Sequence, residues 1–139
     1  MIDALETVIA YLKTDADLNV LTGGRIAVKH KFGDGWDIPS KAVQVRYDGG
    51  TPDVYVEWQR PRLEVRCFAE SQAEASKVYR RMVAISRAAH RARVATNDGF
   101  ALLYWLLPTS GASFFIDPEA GVDAILIFVQ AAVSEIDIP

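Results

Sequence analysis

The sequence predicts an α+β fold: a mostly antiparallel or mixed β-sheet with an N-terminal helix and one long helix packed on one sheet face. Three observations lead there. Two stretches carry apolar residues three and four apart, the period of a helix with one buried stripe. Several shorter runs either alternate or are continuously apolar, the patterns of half-buried and fully covered strands. The order helix, strands, helix, strands segregates the two kinds of element instead of interleaving them. At 139 residues, half of them hydrophobic, the chain is expected to form a single domain around one core.

Leu5, Val8, Ile9, Leu12, Ala16 and Val20 trace one stripe, so a helix is expected over residues 2–21. Asp3 and Glu6 suit its first turn, where acids complement the positive end of the helix dipole. "TGG" at 22–24 is a stop signal, because glycine accepts left-handed backbone, and "RIAVKH" follows as a short strand. "KFGDGWDIPS" reads as an exposed loop bearing Phe32, Asp34, Trp36 and Asp37. Two large aromatics on such a loop either pack back onto their own domain or mark a contact surface. "AVQVRY" and "VYVEWQ" alternate on either side of "DGGTPD", which contains Asp48, Gly49 and Gly50, so they read as a hairpin. Pro61 is expected to break the ladder before "RLEVRCF" begins another strand.

Ser71 followed by Glu74 has the spacing of a capping box, in which each side chain satisfies a backbone amide of the other residue. From there Ala75, Val78, Tyr79, Met82, Ile85, Ser86 and Ala89 share a face, predicting a helix of about 20 residues that runs to Arg93. The remaining segments are "FALLYWLL", a break at "PTSGA", the short "SFFI", the turn "DPEAG" and "VDAILIFVQAAVSEI". The long apolar runs predict strands covered on both faces, central in the sheet or buried at a subunit contact.

Those runs are about half of the roughly 18 residues that a membrane-spanning helix requires. The N-terminus lacks the basic start and small-residue cleavage site of a secretory signal, so a protein assembled in the cytoplasm is expected. All 15 Lys and Arg lie at or before Arg93, whereas residues 94–139 hold six acids and no base. The acidic last third argues against general nucleic-acid binding, which requires a basic footprint. The segregation suits copies meeting basic face to acidic face, and equally suits uneven charge on one solvated surface.

No motif carries chemistry strongly. Cys67 is the single thiol, and His30 and His90 are the only histidines. Neither histidine sits in a signature that would bring it to Cys67, which alternates with Leu63, Val65 and Ala69 as a core residue would. A small enzyme using Cys67 is therefore the lesser reading. The glycines of "GDG" and "DGG" lack the spacing of phosphate-binding loops, and the loop aspartates lack that of an EF-hand, so no cofactor or metal is expected. The strongest feature outside the core is basic: Arg80, Arg87 and Arg91 fall on one helical stripe flanked by Lys77 and Arg81. It is either a solvated face or a surface offered to an acidic neighbour or to passing DNA.

Several motifs resemble, in order, those of the tail-terminator (tail-completion or head-to-tail joining) proteins of long-tailed bacteriophages. They are the helix ending in "LTGGRI", the strand pair, "RLEVRCFAESQAEASKVYRRM" as strand entering capped helix, and "DPEAGVDAILIFVQAAV" as turn and last strand. The resemblance implies a structural, non-enzymatic subunit of a hexameric ring that caps the tail tube and joins it to the head connector. It implies a place in the virion at the head–tail junction, with DNA passing through the ring. The segments from His30 to Asp37 and from Asp48 to Asp53 would correspond to loops that meet neighbouring subunits. Another head–tail connector or a minor tail subunit is the alternative within the virion.

Overall fold

The computed structural model describes residues 3–27, 41–52, 58–96, 99–116 and 123–136. The expected N-terminal helix is divided into α1 (Ala4–Lys13) and α2 (Ala16–Thr22). The break has a local cause. Asp15 adopts extended backbone and accepts from the Leu18 N–H at 2.8 Å, so it starts a new helix instead of continuing the old one. Leu18 is consequently the buried apolar residue of α2, with Thr22 buried beside its end, and Val20 is 83% exposed, against the expected stripe. Gly23, at φ 62°, closes α2 in the left-handed conformation that the "TGG" signal implied.

The strands are β1 (Ile26–Ala27), β2 (Ala42–Pro52), β3 (Trp58–Ala69), β4 (Ala92–Thr96), β5 (Gly99–Pro108), β6 (Ser113–Ile116) and β7 (Asp123–Ile136). They form one mixed sheet in the order β1-β2-β3-β7-β5-β4, with β6 also paired to β7. Among the described residues only the β1–β2 pairing is parallel. The fold is α+β, as expected, and β7 is its centre. One edge of β7 pairs β3 along nearly its whole length, and the other is shared by β6 near Asp123 and β5 near Ile136.

The central hairpin differs from expectation. "AVQVRY" pairs with "RLEVRCF", matching Val43 with Cys67 and Val45 with Val65, so β2 continues through "DGG". From Tyr47 to Gly50 the register advances three residues on β2 against two on β3. That extra residue is a bulge, which absorbs the turn-forming Asp48–Gly49 pair without ending the strand. Pro61 lies inside β3 opposite Gly50, and its missing N–H is accommodated because the β3–β7 register passes from Gln59 to Arg62.

The long helix α3 (Gln72–Ala88) is also shorter than expected. Ala89 turns to extended backbone, Arg91 takes φ 50°, and residues 92–96 pair with β5 as β4. Ala and Arg are good helix formers, but the sheet edge offers backbone partners that outweigh that weak preference. The start is as read: Ser71 Oγ accepts from the Glu74 N–H at 3.3 Å. The reciprocal half of the box is replaced, because the Glu74 carboxylate pairs with Lys41 and Lys77, each at 2.9 Å.

The three helices among the described residues lie on one face of the sheet. Leu5, Val8, Leu12, Leu18, Val78 and Met82 pack there against Val45, Leu63, Val65, Leu103, Ile127 and Val129. Fully burying each such side chain contributes about 1.5–3 kcal/mol. A bulge at Tyr104 lets both Leu103 and Leu106 reach this core. Helix α1 touches both β1 and β4, strands at opposite ends of the sheet order, so the sheet curls around it. Tyr11 on α1 donates its hydroxyl to the Ile85 carbonyl at 2.6 Å, occupying one of the carbonyls left over at the end of α3.

Candidate interaction surfaces

Strand alternation places every second residue of β2 and β3 away from the helices. There Arg46 and Arg66 both converge on Oε1 of Glu64, Arg46 Nη2 at 2.9 Å. Arg62 reaches Asp48 at 3.3 Å and lies 4.6 Å from the centroid of the Phe128 ring, while Arg66 lies 5.4 Å from that of Phe115. The β5–β7 half of the same face is apolar. Leu102, Trp105, Leu126 and Phe128 are partly exposed there, and Leu107 is 49% exposed. Toward the Asp123 end of β7 on this face, Phe68, Ala42 and Ala124 form a small buried cluster with Phe115 against it. The helix-free face thus joins a charged lattice to an apolar strip.

The break "PTSGA" has a defined role on β7. The Thr109 N–H donates to the Phe128 carbonyl at 2.8 Å, and the Phe128 N–H donates to Ser110 Oγ at 3.1 Å. Both backbone groups of Phe128 are satisfied where β5 ends and β6 has not begun. The chain is held against β7 and resumes as β6. Phe114 and Ile116 of β6 remain 54% and 68% exposed.

The arginine stripe survives only in part. Arg80 and Arg87 are exposed two turns apart on α3, with exposed Lys77 beside them. Arg81 instead turns inward to a two-point contact with Asp15 and Asp17 beyond it at 3.8 Å. Arg91 is not on the helix, because α3 has ended at Ala88. Its N–H donates to the Tyr104 carbonyl at 3.2 Å, joining β4 to β5. Of the candidate loop residues, Asp48 lies in the β2 bulge with Gly49 and Gly50, paired to Arg62. Phe32, Asp34, Trp36, Asp37, His30 and Asp53 lie outside the described residues.

Cys67 is fully buried between Val43 and Ile125, and burial pushes its thiol up to about 12. A reactive thiolate requires the opposite, partial exposure beside a positive group. Among the described residues no three His, Cys, Asp or Glu side chains gather as a metal site would require.

No family model matches the chain, and no curated protein matches it. Among solved structures, its fold is similar to that of a chain in the structure titled "Virion of native gene transfer agent (GTA) particle". The TM-score is 0.65 at 17% identity, and the match covers 95% of this chain and 95% of that one. The two share a fold from end to end. No described helix is long and apolar enough to cross a membrane.

Proposed function

We propose that the chain is a structural subunit of a phage-like virion, a tail terminator that forms a hexameric ring, caps the tail tube and joins it to the head connector. The observation that carries the reading is the fold shared over 95% of both chains with a subunit of a gene transfer agent particle. The helix-free face supports it. Partly exposed aromatics beside a charged lattice match an interface composition, apolar at its centre and polar at its rim. The partners are other copies of the chain, the tail tube protein and the connector, with DNA passing transiently through the ring, and the place is the head–tail junction. A non-enzymatic role fits the inert environment of Cys67.

The test is to remove the protein from the particles that contain it and image them. Tails of irregular length are expected. Tails of normal length lacking only their attachment to heads would instead assign the chain to another connector or minor tail subunit. Particles that assemble normally without the protein would sink the virion reading.

A further inference from the structure

The two lateral edges of the sheet carry unlike short strands at one height. Following the register, a single row runs Ala27, Gln44, Arg66, Leu126, Ser113, and the next runs Ile26, Val43, Cys67, Ile125, Phe114. Strand β1 therefore ends these rows on one side and β6 on the other. Among the described residues no strand pairs with the outer edge of either. The strand directions alternate from β2 to β6 and β1 is parallel to β2, so β1 and β6 point in opposite directions. A second copy placed beside the first in the same orientation would present β1 to β6 as an antiparallel neighbour.

We propose that the outer edge of β6 accepts β1 of a second copy, so that copies join head to tail with Ser113 beside Ala27 and Phe114 beside Ile26. Three features favour a second copy as the occupant. The rows meet without a shift in height, as just described. The charges are opposite: Arg25 precedes β1, whereas Asp123 faces Ile116 at the end of β6. The joint would also bring Phe114 and Ile116, the exposed apolar residues of β6, against the strand that carries buried Ile26. An apolar edge strand left open is a template for pairing with another chain. Because β1 and β6 are different surfaces, the contact is heterologous, the kind that repeats with one rotation from copy to copy and forms a ring where that rotation closes.

This inference rests on the ring reading for its occupant, and one experiment separates the two. Ala27→Cys and Ser113→Cys are made singly and together in the full chain, Cys67 being retained because it is buried, and treated with a short bis-maleimide after assembly. Expected is a ladder of covalent multimers for the double variant, a dimer for the mixed single variants, and no multimer for either single variant alone. A ring seen by light scattering and electron microscopy whose double variant gives no ladder overturns the β1–β6 joint and leaves the ring standing. A chain that stays monomeric at every concentration overturns both. Phe114→Asp, with an unchanged circular dichroism spectrum, is expected to abolish the assembled species, and its persistence counts against the joint.

Discussion

Arg81 on α3 and Asp15 at the start of α2 stand 66 residues apart in sequence and meet through two parallel hydrogen bonds, Nε donating to Oδ2 at 2.8 Å and Nη2 to Oδ1. Asp15 has two tasks at once. It caps α2 through the Leu18 N–H and ties that helix to α3. The Arg81 hydrogen bonds, ahead of the Leu18 amide, hold its carboxyl below the usual carboxylate range.

That depression makes stability depend on acid. A carboxyl whose folded pKa lies below its unfolded value contributes stability above the unfolded value, about 4, and loses it as pH falls through the folded one. Glu74, lowered first by its hydrogen bond from Lys41 and then by Lys77, acts in the same direction. Thermal melts taken from neutral pH downward should show the melting temperature falling below about pH 4. Asp15→Asn should be less stable at neutral pH and show a shallower fall. An equally steep acid profile in that variant would refute the assignment.

Ser71→Ala removes a side-chain acceptor at the start of α3 and should destabilise the protein by about 1 kcal/mol. Glu74→Gln leaves that cap bond in place but weakens the contacts to Lys41 and Lys77. Urea titrations of both variants distinguish a cap contribution from an ion-pair contribution.

Cys67 should be inert in the folded protein. A thiol reagent at about pH 8 should modify it only after denaturant is added, since an unperturbed thiol near 8.5 would react readily at that pH. Cys67→Ser places a hydroxyl in an apolar core and should cost about 1–3 kcal/mol. Cys67→Ala, which buries no polar atom, should cost less. Rapid labelling of the native chain would contradict the buried position.

Arg80→Glu with Arg87→Glu should leave the fold intact, because both side chains lie on the exposed side of α3. If this face meets an acidic neighbour, assembly should weaken most at low salt, where screening is least. Unchanged sedimentation of the double variant at low and high salt would mark the face as solvated only.

Local chemistry made much of this legible in advance. The alternation of "RLEVRCF" placed Cys67 with Leu63 and Val65, and the apolar run of "AILIFVQAAV" marked the strand at the centre of the sheet, although Leu126 and Phe128 on its helix-free face stay partly exposed where cover on both faces was expected. Gly23 stopped α2 where the glycines said it would. Errors arose where a distant partner decided the outcome. "DGG" has the composition of a turn, yet a bulge against β3 keeps it in β2. "RARVAT" has helical composition at its start, yet β5 recruits it as a strand. The same limit applies to the arginines. Spacing grouped Arg80, Arg81, Arg87 and Arg91, but only folding reveals that Asp15 takes one and the sheet edge another. The helix-free face was implicit in the charged alternate positions of β2 and β3, but its apolar half depends on the Tyr104 bulge, for which the continuous run gave no cue.

The central strand also comes after the other six described strands in the chain. Until residues 123–136 leave the ribosome, β3 and β5 lack the partner that joins them, and β6 has nothing to pair with. Nascent chains stalled before β7 should therefore be digested rapidly by protease, and chains stalled well beyond it should resist. Protection acquired before β7 emerges would show that the earlier strands find a stable arrangement without it. The order of synthesis thus delays completion of the sheet, and with it any self-assembly that uses the outer edge of β6, until β7 has emerged.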